Sequence, residues 1–370
     1  MKSSNGNIPI EIIDTAQGLA RVAAALQELP EIFIDTEFDD FNAQYGLHLQ
    51  LIQVFDGTTC FLIDPIRIKN LDILWLVFEN EHICKVVYRG ANDVAILKKF
   101  GCNTRNIFDN QVAAGLCGRA ERSYAALIQA EFGIETDKSQ QRSRWDNRPL
   151  KSSQVIYASD DVIYLPRLKE IFLEEIGNRN LLRVLQEENR LIESSIKKDY
   201  QPKLSGKQKA MFSHYARTKL MEFKNLVNRY AQLLNVPPYY IVPDQALEAI
   251  IKDKAGFMKG PFGKDFYKDV LKHKLFKAAF LAIVDAIDSG KGWENKATKK
   301  IRKGEGLNSF KAPDNESFLS FKQYIINRYG EVAGNSMLKG LSKIFSGEGI
   351  SWEHTRQYQK DLYNDFLAGS

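Results

Sequence analysis

Residues 32–38, with the sequence Ile-Phe-Ile-Asp-Thr-Glu-Phe, form an apolar run that carries two carboxylates near its end. Branched and aromatic side chains favour a strand here. Because side chains alternate between the faces of a strand, Asp35 and Glu37 lie on the same face. Two like charges this close are costly unless a cation lies between them. Since oxygen ligands favour hard cations, the pair predicts a Mg²⁺ or Mn²⁺ site; two solvated acids at a strand end are the alternative.

The composition is that of a globular chain: 370 residues, of which 44% are hydrophobic, suffice for two or three domains. No apolar run approaches the roughly 20 residues that cross a bilayer, and residues 1–6 lack a signal-peptide core, so we expect a cytoplasmic protein without a membrane segment. The cysteines have no C-x-x-C spacing, which predicts unpaired buried thiols and no zinc site. They are Cys60, Cys84, Cys102 and Cys117.

Positive and negative charges are unevenly divided along the chain. Residues 1–200 hold 23 Lys and Arg against 29 Asp and Glu, a net −6, whereas residues 201–370 hold 28 against 17, a net +11. An acidic first half suits a carboxylate site, and a basic second half suits a polyanionic partner. Lysine-rich helix faces turned to water are the alternative for the second half.

Apolar periodicity separates strands from helices in the first 200 residues. Strands are predicted at 8–13, 31–37, 49–55, 60–64 and 83–88. Helices are predicted at 16–27, 70–79, 92–100, 109–118, 122–132, 152–175 and 179–197. A three-strand meander followed by mixed elements and then helices predicts an α/β domain, a mixed sheet flanked by helices.

The segment 201–206, Gln-Pro-Lys-Leu-Ser-Gly, is polar and rich in helix breakers, so we place a domain boundary there. Every periodic segment beyond it is helical. These segments are 207–235, 243–253, 262–288, 316–333, 336–346 and 351–367. Residues 290–314 combine glycines with several cations and are interpreted as a second linker.

Three further side chains suit the same chemistry. Asp93 follows Gly90 at a tight strand-to-helix turn, which brings the helix start towards the edge of the sheet; an acid favoured by the helix dipole is the alternative. Tyr157 and Asp161 are four residues apart on a helix and therefore address a common point, or else a solvated face. Asp161, rather than Asp160, is expected to border the buried stripe.

The set Asp35, Glu37, Asp93, Asp161 and Tyr157 offers four carboxylates and one phenol. Four carboxylates suit a pair of divalent ions that activate water and stabilise the leaving oxygen of a phosphodiester. The phenol, protonated at neutral pH, would position the attacking water rather than act as a base. Neither a P-loop nor an H-E-x-x-H motif occurs in the sequence.

Seven stretches carry a resemblance to a known family, in the family's order and over about residues 30–170. They are FIDTEF at 33–38, LQLIQ at 49–53, GANDV at 90–94, IFDNQVAA at 107–114, DKSQQRSRW at 137–145, RPL at 148–150 and YASDDV at 157–162. On these stretches the chain resembles the DEDD superfamily of 3′→5′ exonucleases, in its tyrosine-bearing branch, and within it the ribonuclease D family.

The resemblance implies a ribonuclease-H-like fold and two Mg²⁺ or Mn²⁺ ions. It implies hydrolysis from the 3′ end of a nucleic acid with release of nucleoside 5′-monophosphates. It assigns metal binding to Asp35, Glu37, Asp93 and Asp161, and it assigns orientation of the attacking water to Tyr157. Tyr88 departs from the family, in which a histidine often precedes the glycine by two residues, but that position is not a metal ligand.

Residues outside this set are assigned to substrate and to further domains. Lys138 and Arg142 are expected to contact substrate phosphates, with a plain surface loop as the alternative, and Trp145 is expected in the core. The resemblance also extends to helical modules of the helicase-and-RNase-D C-terminal (HRDC) type. The domains expected are an exonuclease domain at 1–200, an HRDC domain at 205–290 and a diverged second copy at 315–370.

The function expected on this basis is that of a monomeric, metal-dependent 3′→5′ exoribonuclease that acts on structured RNA, such as tRNA precursors with a single-stranded 3′ end. The substrate comes from the resemblance alone. A DNA 3′→5′ exonuclease is an alternative with the same chemistry. A catalytically silent nucleic-acid-binding scaffold is an alternative of another class.

Overall fold

The computed structural model describes residues 3, 8–41, 44–119, 123–137, 139–242, 278–279, 281–282, 285, 315–341, 344 and 355–368. The chain divides into two compact units. The first unit comprises Met1–Glu37, Leu49–Lys197 and Leu307–Ser370, and the second comprises Phe38–His48 and Lys198–Gly306. Among the described helices, none combines the length and the apolar character that a bilayer crossing requires.

Within the described residues, one mixed sheet has the strand order β1-β4-β3-β2-β5-β6. The strands are β1 (Ile10–Ile13), β2 (Glu31–Asp40), β3 (Leu47–Phe55), β4 (Cys60–Ile63), β5 (Cys84–Val87) and β6 (Ile107–Asp109). β1 pairs in parallel with β4, and β5 pairs in parallel with both β2 and β6, whereas β3 and β4 are antiparallel. The predicted α/β domain with a mixed sheet is confirmed.

β2 lies in the interior of this sheet, which explains its apolar sequence. Ile32, Phe33 and Ile34 are each at most 2% exposed, because both faces of the strand are covered. Phe33 joins the core formed with the helices on one face, and by alternation the side chains of Asp35 and Glu37 follow it on that face. The middle of the sheet therefore delivers two carboxylates to the helical layer.

The helices of the first unit before residue 200 are α1 (Ala16–Gln27), α2 (Asp72–Glu79), α3 (Ala91–Lys99), α4 (Asn110–Leu116), α5 (Tyr124–Phe132), α6 (Ser152–Ile163), α7 (Leu165–Asn178) and α8 (Leu182–Glu193). Their N-termini are capped as the sequence suggests at Thr15, Asp109 and Ser123, whose side chains accept backbone hydrogen bonds. A single helix over 152–175 was expected, but α6 ends at Ile163 and Tyr164 separates it from α7, which carries a proline in its first turn.

Among the described residues near the C-terminus, three helices belong to the first unit: α12 (Asn315–Tyr329), α13 (Glu331–Met337) and α14 (Gln357–Ala368). They share the core of the sheet and its helices through Phe321, Met337 and Tyr358. Polar contacts with α8 reinforce this packing, since Arg183 pairs with Asp361 at 2.9 Å. These helices therefore pack as part of the first unit.

The second unit contains α9 (Gly206–Met211), α10 (His214–Leu234) and α11 (Pro238–Ile241) among its described residues, together with the tip of the β2–β3 hairpin. The expected helix 207–235 is interrupted, because Ser213 caps a new helix. Within this unit the Tyr45 hydroxyl donates to Asn228 at 2.8 Å and accepts from Gln232 at 2.9 Å. The helices predicted at 243–253 and 262–288 lie almost wholly outside the described residues.

Candidate metal and active site

Three carboxylates meet where β2 faces α6. Asp35 and Glu37 extend from β2, and Asp161 extends from the last two turns of α6. Each offers an oxygen, and these three oxygens all lie within 4.8 Å of one another. Each of the three side chains remains partly exposed to solvent. The fold thus brings Asp161 next to two acids that precede it by at least 124 residues in the sequence.

Asp93 lies beside this group, in the first turn of α3. Its carboxylate oxygen Oδ1 accepts a hydrogen bond from the Thr36 hydroxyl at 2.5 Å. The strand-to-helix turn is tight because Gly90 approaches β5: a Cβ at this position would lie 2.4 Å from Cγ2 of Val87. A larger residue at this position would displace the start of the helix that carries Asp93.

Asp109, which is 2% exposed, stabilises the same turn. Its carboxylate accepts from the backbone N–H of Gly90 at 2.8 Å and of Arg89 at 3.1 Å, while it also caps α4 through Gln111. Burial raises the pKa of Asp109, and these backbone donors oppose the rise. Asp109 therefore fixes the start of α3, and its charge raises the pKa of Asp93.

Tyr157 lies one helical turn before Asp161 on α6, close enough for the charge of Asp161 to raise the pKa of its hydroxyl. Its ring packs against the ring of Trp145, with centroids 6.0 Å apart. Burial, followed by the charges of Asp161 and Glu37, raises the pKa of Tyr157 far above its ordinary value. The phenol therefore stays protonated and acts as a hydrogen-bond donor.

The neighbouring carboxylates raise one another's pKa values. Burial raises the pKa of Asp35 well above 3.8, and the charges of Asp93, Asp161 and Glu37 raise it further. Burial also raises the pKa of Glu37 well above 4.5. The pKa of Asp161 rises to about 8, first through burial and then through the charge of Asp160. Burial likewise raises the pKa of Asp93 to about 6, although the Thr36 hydrogen bond lowers it.

Such a cluster fits a hard divalent cation. A cation among these oxygens would offset both the loss of hydration and the mutual repulsion that raise the pKa values. The donors are all carboxylate oxygens, the type that Mg²⁺ and Mn²⁺ prefer. Asp35, Glu37 and Asp161 can therefore hold a divalent metal ion, and Asp93 adds a further negative charge beside them.

The other predicted residues fall into different surroundings. Lys138 lies outside the described residues. Arg142 is exposed in the loop before α6, so its substrate contact stays a prediction. Trp145 is 5% exposed, and its predicted place in the core is confirmed. Asp161 is partly exposed, as expected of a residue that borders the buried stripe, but Asp160, which was not expected to face the core, is the more buried of the two at 8% exposure.

Sequence reasoning assigned no role to three residues that support the site. Thr36 was read only as the spacer between two acids, and Asp109 only as part of a matching stretch. Tyr124, on α5, donates from its hydroxyl to the backbone carbonyl of Asp160 at 2.8 Å. No periodicity joins positions so far apart in sequence; a polar residue inside an apolar strand was the one available signal for Thr36.

Comparison with known proteins finds similarity to exonucleases in the first half of the chain. Residues 10–177 match the family model described as 3′-5′ exonuclease. Ribonuclease D of Shewanella sp. (strain ANA-3) is 33% identical over 180 residues, which is 48% of this chain and 46% of that protein. Ribonuclease D of Escherichia coli (strain K12) is 32% identical over 185 residues, 50% and 49% of the two chains. The chain thus spans about half the length of the curated relatives it matches.

Solved structures extend the likeness in fold. The crystal structure of Escherichia coli RNase D, described as an exoribonuclease involved in structured RNA processing, has a TM-score of 0.62 at 20% identity and covers 98% of this chain and 99% of that chain. The catalytic core of RRP6 from Trypanosoma brucei has a TM-score of 0.66 at 22% identity, and the match covers 76% of this chain and 80% of that chain. Residues 10–177 are thus similar to the 3′-5′ exonuclease family model, and about half of the chain is similar to ribonuclease D proteins.

Proposed function

We propose that this chain is a metal-dependent 3′→5′ exoribonuclease of the ribonuclease D type. The observation that carries the proposal is the meeting of Asp35, Glu37 and Asp161 within 4.8 Å, with Tyr157 one helical turn before Asp161. Carboxylates brought together from a strand and a helix serve a cation better than they serve stability, because each is costly to bury charged. The family match over residues 10–177 supplies the reaction class.

The proposed metal ligands are Asp35, Glu37, Asp93 and Asp161, holding two Mg²⁺ or Mn²⁺ ions. When bound, the ions would lower the pKa of the attacking water and neutralise charge on the leaving oxygen of the phosphodiester. Thr36 holds the Asp93 carboxylate against β2 through its 2.5 Å hydrogen bond. The site stays partly open to solvent, as access for a chain end requires.

Tyr157 is proposed to hold the attacking water by donation or acceptance at its hydroxyl. Its raised pKa argues against a role as a general base, because a base must be deprotonated at the working pH. Its ring is fixed by Trp145, so the hydroxyl has little freedom to leave the site. A positioned water approaches the phosphorus in line at low entropic cost.

The proposed substrate is RNA with a single-stranded 3′ end, and tRNA precursors are the case that the resemblance suggests. Lys138 and Arg142 are proposed to contact its phosphates, and the HRDC-type segments at 205–290 and 315–370 are proposed to add nucleic-acid affinity. We propose a monomer that acts in the cytoplasm. The four unpaired cysteines agree with a reducing compartment.

Parallel digestion tests the reaction and the substrate together. Single-stranded RNA and DNA of one sequence, each labelled at the 5′ end, are incubated with the protein in Mg²⁺, in Mn²⁺ and in a chelator. The proposal expects a ladder of shortened RNA in either metal, release of 5′-monophosphates, and no ladder in the chelator. Faster shortening of the DNA would support the DNA exonuclease instead. Retention of RNA on a gel without any shortening would support a binding scaffold.

A further inference from the structure

Arg148 joins the segment before α6 to the sheet. Its guanidinium forms a two-pronged ion pair with Asp64, just beyond β4, with Nε to Oδ2 at 2.5 Å and Nη2 to Oδ1 at 3.0 Å. The side chains are 12% and 3% exposed, so solvent screens this pair little. Nη2 also donates to the backbone carbonyl of Gln50 on β3 at 2.7 Å.

The remaining donors of the same guanidinium bind its own segment. Nη1 donates to the carbonyl of Trp145 at 2.6 Å and to the carbonyl of Asn147 at 2.9 Å. The guanidinium of Arg148 thus donates five hydrogen bonds. Three go to Asp64 after β4 and Gln50 on β3, and two go to carbonyls of its own loop. Lysine has three donors on a single nitrogen and cannot reproduce this fork.

Trp145, whose carbonyl accepts a hydrogen bond from Arg148, also packs on Tyr157. The Trp145 ring lies 6.0 Å from the Tyr157 ring, at an interplanar angle of 43°. A second tie fixes the same loop to the start of α6, because Gln154 donates to the Ser143 hydroxyl at 3.0 Å and to the Arg144 carbonyl at 3.2 Å. A continuous series of contacts therefore runs from Asp64 through Arg148 and Trp145 to the phenol that faces Asp161.

We propose that Arg148 is a positioning residue of the exonuclease site, which sets the place of the Tyr157 hydroxyl by fixing Trp145 against it. This inference rests on the proposed function. Arg148 touches none of the metal-binding carboxylates proposed above, so its effect must pass through Tyr157. Loss of the fork would leave the buried Asp64 carboxylate with two backbone donors and the more distant guanidinium of Arg67, and it would release the Trp145 carbonyl from the sheet.

A double-mutant cycle between Arg148 and Tyr157 tests the proposal. The variants are Arg148→Lys, Tyr157→Phe and both together, assayed on a short single-stranded RNA for kcat and KM. Calorimetric binding of Mn²⁺ gives a readout independent of turnover. Arg144→Lys is the matched control, since Arg144 lies in the same loop, is 62% exposed and forms a local ion pair with Asp146.

The proposal expects Arg148→Lys to lower kcat about tenfold with KM changed less than about twofold, because a displaced positioning group costs rate rather than binding. In the Y157F background the same change should cost less than about twofold. Mn²⁺ affinity should stay as in the wild type, and Arg144→Lys should leave both kcat and KM unchanged.

Equal losses from Arg148→Lys in both backgrounds would overturn the positioning role, as would weakened Mn²⁺ binding or a rise in KM alone. Should Arg148→Lys fail to fold by circular dichroism, Trp145→Phe replaces it in the same cycle, with the same expected pattern. Absence of metal-dependent trimming by the wild type would overturn the proposed function and the positioning role with it. The two failures are therefore distinguishable.

Discussion

The hydroxyl of Thr36 donates a hydrogen bond to the carboxylate of Asp93 across 2.5 Å, joining the central strand β2 to the helix α3. Thr36 projects from the opposite face of β2 to its neighbours Asp35 and Glu37 and is 5% exposed. The contact ties an acid of another element to the strand that carries Asp35 and Glu37. It also lowers the pKa of Asp93, which burial raises.

Replacing Thr36 with Val, which has nearly the same shape and no hydroxyl, should weaken divalent-cation binding about tenfold, the range for groups that orient a metal ligand. Calorimetric titration with Mn²⁺ measures this. Thr36→Ser keeps the hydroxyl and should recover most of the affinity. If the serine variant binds as weakly as the valine variant, packing of the methyl group, and not the hydrogen bond, explains the effect.

Tyr157→Phe should lower kcat about ten- to a hundredfold, because the attacking water loses a positioning partner while the metal ligands remain. Mn²⁺ affinity should change little, and the thermal midpoint should stay within a few degrees, since the ring that packs on Trp145 is retained. Steady-state kinetics and calorimetry check the two halves of this prediction. A variant with the wild-type kcat would remove Tyr157 from the mechanism.

Without divalent cations, the free energy of unfolding should fall as pH rises from about 4 to about 8. The folded-state pKa of Asp161 is about 8 against an ordinary value of 3.8, so the native state binds more protons than the unfolded state across this window. Urea denaturation in a chelator at several pH values measures the slope. Asp161→Asn should make the slope shallower, and an unchanged slope would contradict the assignment.

Added Mn²⁺ should reverse that trend. A cation binds the ionised carboxylates, so the stabilisation it gives should grow with pH over the same window. Denaturation curves with and without Mn²⁺ at pH 5 and pH 8 provide the comparison. Stabilisation that is equal at the two pH values would indicate that the cation binds elsewhere on the protein.

The basic stretch Lys296, Lys299, Lys300, Arg302 and Lys303 lies outside the described residues and gives a prediction from sequence alone. Substituting these cations with Gln should weaken RNA binding and make the salt dependence of the Kd shallower, by up to about three units of log Kd per log salt. Turnover of a very short RNA should remain at the wild-type rate. A loss of chemistry on the short substrate would contradict a purely electrostatic role.

Periodicity predicted most strands and helices of the first 200 residues and missed one short strand and one helix break. β2 and α1 lie where the apolar pattern placed them, because ten or twelve residues carry a clear period. β6 was not predicted, since Ile107–Asp109 is only three residues long and runs directly into a helix that Asp109 caps. The break at Tyr164 was missed for a similar reason, because the apolar spacing continues across it.

Local sequence patterns likewise predicted one part of the site, whereas contacts between residues far apart in the sequence were missed. Strand alternation placed Asp35 and Glu37 on one face, and the helical repeat placed Tyr157 beside Asp161. The support that Thr36 gives to Asp93 joins positions 57 residues apart, and the pair of Arg148 with Asp64 joins positions 84 apart. Such contacts depend on the packing of whole elements, which no local pattern encodes.

Release of 5′-monophosphates by the wild type and by the Asp35→Asn variant is the most direct test of the central claim, that these carboxylates hold the cations that drive hydrolysis. Asn keeps the shape of Asp35 and removes its charge. With 5′-labelled RNA and Mg²⁺, we predict stepwise shortening from the 3′ end by the wild type and none by the variant, which should still retain RNA on a gel. Shortening by the variant at the wild-type rate would contradict the assigned site.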